Sequence, residues 1–185
     1  MNDVFVDDNA NVFTLGKLFI SRKSQKNNGE AKYKFLLYKL TKDKIQDTEI
    51  GLSNDNQVLS LIINNHENKI NLIGFYSEKF AGSIKGGCNF EIDANDLSVL
   101  SLKNNELPKN VYDDLYSDAK AERLNNEKKE LSSFYVDYVI RDNDGNTILL
   151  AEEFYVTQTY VSTGLNGAGY WVNTNHYDDI LILKI

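Results

Sequence analysis

RDNDGNTILLAEEFYVT, residues 141–157, reads as a tight polar turn feeding a long strand. Asn and Asp tolerate left-handed backbone and bond their own main chain, so DNDGN is turn chemistry. Asp144-Gly145 within it suits a hairpin turn of the primed type. Two other stretches have the same shape: DDNANVFTLGKLF at 7–19 and NHENKINLIGFYS at 65–77. In each strand an aliphatic residue precedes a small one: Leu15-Gly16, Ile73-Gly74 and Leu150-Ala151. A further strand follows each hairpin: YKFLLYKL at 33–40, GGCNFEID at 86–93 and YDDILILKI at 177–185. The pattern predicts an all-β chain in which one antiparallel β-meander unit is used three times, β-propeller-like, partial or open. The units fall at about 1–43, 44–102 and 132–185 of a single repeat-built domain, 1–185. A β-sandwich is the alternative arrangement.

Residues 108–131 break the pattern. Val111, Tyr112, Leu115, Tyr116 and Ala119 recur at helical spacing after Pro108, which suits a first turn. One helix inserted on the surface between units is expected there.

Alternation assigns faces to the strands. Residues 33–40 carry apolar side chains at both phases and read as covered on both sides. The last strand, 180–185, reads the same way, as an interior strand would. Phe134, Val136, Tyr138 and Ile140 share one phase, as do Leu59, Leu61 and Ile63. Residues 157–177 exceed a hairpin connection and read as a long loop, of the kind that is often functional.

The net charge of −7 disfavours a general nucleic-acid binder, which needs a basic field. The one local basic run, SRKSQK at 21–26, reads as a solvated hairpin loop. A single cysteine, Cys88, excludes an internal disulfide and reads as a small buried hydrophobe. No apolar run reaches the length of a membrane span. The opening residues lack a charged and then apolar leader. That predicts a cytoplasmic address if Met1 is native, and a periplasmic or extracellular one if Met1 was added to a mature fragment.

No nucleophile elbow, zinc helix or phosphate loop is present, and His66 and His176 have no companions at ligand spacing. An EF-hand register through DNDGN would make Ile140 the first ligand, so it fails. No cofactor or metal is expected.

Glu152 lies in the apolar row Ile148, Leu150, Phe154 and Val156. A carboxylate there must be paired, hydrogen-bonded or protonated. Aligning the three hairpins on their aliphatic–small pairs makes Lys17, Phe75 and Glu152 equivalent, so Lys17 is the expected ion-pair partner. The catalytic alternative is a glycan hydrolase using Glu152 with Asp137 or Asp93. The candidate ligand-binding residues are Tyr160, Tyr170, Trp171, His176 and Tyr177, aromatics set among Gly and Asn in 157–177. Such groups suit sugar faces or protein partners.

IGFYSE (73–78) with GCNFEID (87–93), and ILLAEEFYV (148–156) with YDDILILKI (177–185), resemble repeats of a family of uncharacterised bacterial envelope proteins. The resemblance covers roughly 50–185, and more weakly the first forty residues. It implies blades of a β-propeller and a place outside the cytoplasm, and it carries over no catalytic residue. The expected function is a non-enzymatic binding or scaffold module for a protein or glycan partner. Self-association that completes the sheet array is a further expectation.

Overall fold

The computed structural model describes residues 3–21, 33–53, 56–66, 69–78, 84–108, 110–115, 131, 134–142, 146–164 and 168–184. The chain is all-β, with three antiparallel meander sheets. The first holds β1 (Val4–Val6), β2 (Val12–Phe19), β3 (Tyr33–Leu40) and β4 (Ile45–Ile50). The middle one holds β5 (Gln57–His66), β6 (Lys69–Ser77), β7 (Gly86–Asp93) and β8 (Val99–Glu106). The third holds β9 (Phe134–Arg141), β10 (Thr147–Ser162) and β11 (Gly169–Lys184), with β10 in the middle. Within each sheet every strand pairs with its neighbour in sequence, so the connections inside a sheet are local hairpins. One helix lies among the described residues, α1 (Asn110–Leu115), at the start of the predicted insertion. The remainder of that insertion, 116–130, lies outside the described residues, as do the basic run 22–26 and the Asp144-Gly145 turn.

The three signature strands β2, β6 and β10 each stand second in their sheet. Gly16, Gly74 and Ala151 pair with Leu36, Cys88 and Leu181 on the following strand. Two of the entry turns share one construction. Asn11 donates its main-chain N–H to Asp7 Oδ1 at 2.8 Å and its amide to Oδ2 at 2.8 Å. Asn146 makes the same pair of bonds to Asp142, at 2.8 and 2.7 Å. Both oxygens of Asp142 are thus committed to closing its turn.

The sheets stack with the same phase at each step. Phe13, Leu15, Phe35 and Leu37 of the first sheet bury against Ile70, Leu72, Tyr76, Cys88 and Phe90 of the middle one. Ile73 and Phe75, the opposite phase of β6, bury against Phe134, Leu149, Ala151, Leu181 and Leu183 of the third. Tyr112 of α1 and Leu131 close the edge of this second core. Among the described residues, only the middle sheet has a buried core on both faces. Each buried aliphatic or Phe side chain contributes about 1.5–3 kcal/mol through its removal from water. Polar ties align the layers: Lys39 Nζ donates to the carbonyls of Ala94 and Asn95 at 2.7 and 3.1 Å, and Asp3 Oδ2 accepts from the Ile63 N–H at 2.6 Å.

Several face assignments change. Strand β3 is buried on one side through Phe35, Leu37 and Lys39, while Leu36, Tyr38 and Leu40 are only half-buried. Strand β11 is an edge strand: Leu181 and Leu183 are buried, but Ile180 and Ile182 are 67% and 65% exposed. A bulge in β9 makes Asp137 the extra residue, so Phe134 and Val136 face the core while Tyr138 and Ile140 emerge on the other side. A bulge between Val58 and Ser60 likewise moves Leu59 to the opposite core from Leu61 and Ile63. An inserted residue reverses the phase of everything beyond it. Strand β8, exposed along its whole length, has no apolar periodicity from which to be predicted.

Cys88 is fully buried in the first core. Burial pushes its thiol up to about 12, which fits the reading as an inert hydrophobe.

Candidate binding surface on the third sheet

Residues 157–177 are not an irregular loop. Strands β10 and β11 continue in register far past the end of β9, from Phe154↔Tyr177 to Ser162↔Gly169. Strand β9 stops at the pair Phe134↔Glu153. Beyond that point two strands stand alone, and residues 156–162 and 169–175 are all exposed. The ribbon is built from Thr, Tyr, Val and Trp, residues with high β propensity. Cross-strand pairs hold it, since the two residues of a pair share a face.

The register sorts the five candidate residues onto two faces. Tyr160 and Trp171 are directly paired, with ring centroids 5.3 Å apart and edge to face. Tyr177 lies on the same face, next to Phe154 at 5.0 Å, and Phe154 meets Tyr135 at 6.1 Å. Val156, Gln158, Asn173 and Asn175 fill the row between them by alternation. This face therefore runs from Tyr135 at the base of the sheet to Trp171 near the tip. Trp171 is 65% exposed and Tyr177 61%.

Tyr170 and His176 occupy the opposite face. His176 stacks on Tyr155 at 4.6 Å and lies 2.8 Å from Thr157 Oγ1 through Nε2. Tyr155 donates its hydroxyl to Asp178 Oδ2 at 2.7 Å. That bond to the carboxylate favours the protonated phenol and raises the Tyr155 pKa. His176 is thus held in a polar ladder, whereas Trp171 belongs to an open aromatic row.

Glu152 sits where the ribbon joins the sheet. It lines a shallow depression of about 450 Å³ with Asp137, Tyr138, Leu150, Ala151 and Ile180. Of the two carboxylates considered as catalytic partners, Asp137 shares this depression. Asp93 is in the middle sheet, where its Oδ1 accepts from the Asn95 N–H at 2.7 Å and shapes a turn. The Lys17–Glu152 ion pair is absent. Lys17 Nζ donates instead to the Leu59 carbonyl at 3.4 Å and rides 3.5 Å from the Tyr33 ring centroid. Partial burial there lowers its pKa. The alignment of Lys17 with Glu152 is correct as strand position, but equivalent positions on successive sheets project into successive interfaces rather than toward each other.

Among the described residues no cluster of His, Cys, Asp or Glu could hold a metal, and no helix is long and apolar enough to cross a membrane. Missed by sequence reasoning were Tyr135 and Phe154, which extend the aromatic row; the signal was present in their shared phase with Tyr177, once the ribbon is known to be paired. No family model, curated protein or solved structure matches the chain.

Proposed function

We propose that the chain is a non-enzymatic binding module, a propeller-like stack of meander blades that presents an aromatic ribbon to a protein or glycan partner. One observation carries the reading. The face that runs from Tyr135 through Phe154, Tyr177 and Tyr160 to Trp171 is aromatic and largely open to water, and none of these rings belongs to either core cluster. A protruding two-stranded ribbon is only marginally stable by itself, so exposed rings on it add little to folding and are available for contact. Rigid aromatics with few rotatable bonds lose little entropy on docking and stack well against apolar sugar faces. The resemblance to envelope proteins is consistent with a scaffold role.

The test is a screen of soluble glycans and extracellular-protein fragments, followed by Trp171→Ala against any binder found. Truncating an aromatic anchor is expected to cost about 2–4 kcal/mol of binding, roughly 30- to 1000-fold in Kd. Thermal stability should move by no more than about 1 kcal/mol, because Trp171 packs mainly on Tyr160. A variant that unfolds would make the aromatic cluster part of the core, and unchanged binding would remove Trp171 from the contact.

A second reading has its own observation: Glu152 and Asp137 line one depression beside exposed aromatics. Paired carboxylates are the machinery of glycoside hydrolysis. Under the binding-module reading, the wild-type protein releases no reducing sugar from any glycan that it binds. Hydrolysis that is lost in Glu152→Gln with stability unchanged would establish the enzyme instead.

A further inference from the structure

The chain makes the same kind of sheet-on-sheet interface twice, once in each core. At each internal step the residues flanking the small residue of one signature strand face the next sheet, and those in phase with the small residue of that sheet receive them. Leu15 and Lys17 flank Gly16 and face the middle sheet, Leu15 in the core with Leu72 and Tyr76, which are in phase with Gly74, and Lys17 at the Leu59 carbonyl of β5. Ile73 and Phe75 flank Gly74 and face β10, where Leu149 is in phase with Ala151. Among the described residues, the same rule leaves two faces without a neighbouring sheet. One is the face of the third sheet through Leu150 and Glu152, which flank Ala151. The other is the face of the first sheet in phase with Gly16.

Both faces carry large exposed apolar side chains among a few charges: Glu152 and Lys184 on the third sheet, and Asp47 with the Lys34–Glu49 ion pair on the first. On the third sheet Tyr138, Ile140, Ile180 and Ile182 are 69%, 50%, 67% and 65% exposed. On the first sheet Val4, Val6, Leu18 and Ile45 are 58%, 55%, 55% and 70% exposed. The register places Val4 opposite Thr14 and Val6 opposite Val12, in the row that includes Gly16. Strand β3 and the 180–184 end of β11 carry apolar side chains at both phases, yet the outer side of β3 is only half-buried and Ile180 and Ile182 stand exposed. So many large apolar side chains left exposed on two sheet faces are uncommon on a monomer.

We propose that the occupant of each open face is a second copy of this chain: the outer face of the third sheet in one copy docks on the outer face of the first sheet in the other. The contact is head-to-tail, and it continues the stacking already present. Two copies satisfy all four open faces at once and close into a ring of six sheets. One copy supplies three sheets, fewer than the four to eight of closed propellers, and two copies fall within that range.

The test uses the whole chain and the mass in solution, by analytical ultracentrifugation. The wild type should have the mass of two chains at high micromolar concentration. Ile180→Asp with Ile182→Asp alters only the third-sheet face, and Val6→Asp with Leu18→Asp only the first-sheet face. All four positions are more than half exposed, so each isolated copy keeps the new charges in water. Each double variant alone should run as a single chain. Mixed one to one, they should pair, because each supplies the intact face that the other lacks. That mixed pair has one interface where the wild type has two, and its dissociation constant should be weaker by about 10²–10⁴-fold. A monomeric wild type, polymers of ever-rising mass, a first-sheet variant that still dimerises alone, or a mixture that stays monomeric would each overturn the proposal.

Discussion

Gly74→Ala is expected to lose about 3 kcal/mol or more, a fall in Tm of roughly 6–12 °C for a chain of this size. A Cβ at Gly74 would lie 1.8 Å from the Ser60 carbonyl oxygen and 2.6 Å from its carbon. Both atoms are backbone, at the bulge where β5 shifts register against β6. Relief therefore requires β5 to move off β6, with loss of ladder bonds beside the fully buried Ile73 and Phe75. Two comparisons isolate the cause. At Gly16 the nearest atom is Tyr38 Cε2 at 3.0 Å, the end of a side chain on the open face, so Gly16→Ala should lose less. At Gly51 nothing lies within 4 Å, and Gly51→Ala should be neutral or slightly stabilising. Thermal or denaturant unfolding of the three variants gives the order, and equal losses at Gly74 and Gly51 would contradict it. The third unit carries Ala151 at the same place, buried at 1% exposure, because β9 meets it through a different bulge.

Phe75→Ala should cost about 3–5 kcal/mol. The ring is fully buried between the middle and third sheets, with Ile84, Leu131, Phe134 and Leu149 in the same cluster. Removing it leaves a cavity that rigid strands on either side cannot close. The first core contains neither Phe75 nor its neighbours, so the loss should be directional. Native-state amide exchange should quicken more in β9 and β10 than in β3. Uniform acceleration would mean that the two cores unfold as one unit and that the layers are not separable in energy.

The meander was legible because its turns and one-sided strands obey local rules. Asp7 and Asn11, and Asp142 and Asn146, close their turns with their own side chains, so Asx chemistry in sequence became turn geometry in space. The position of the signature strands was legible too, through the aliphatic–small pairs. Bulges were not. Asp137 and the Val58–Ser60 step each reverse the phase of a strand, and no Gly or Pro marks them. From sequence the ribbon looks like a loop for a different reason. Periodicity records the difference between a wet face and a dry one, and from Val156 to Ser162 both faces are wet. Its β-branched and aromatic content was the remaining signal, and it was outweighed by the length of the segment and its Gly and Asn. Burial of Lys17 against Tyr33 rather than pairing with Glu152 was equally invisible, because sequence alignment gives strand position and not which interface a side chain enters.

The binding reading rests on a ribbon whose aromatic face stands in water, and the chain contains a single tryptophan, Trp171, on that face. Collisional quenching of its fluorescence by iodide reports that exposure with no substitution at all. Quenching of the native protein should be close to that of the unfolded chain, with protection when a partner docks on the ribbon. A blue-shifted emission that iodide fails to quench in the free protein would contradict it, because the ribbon would then be folded away from solvent.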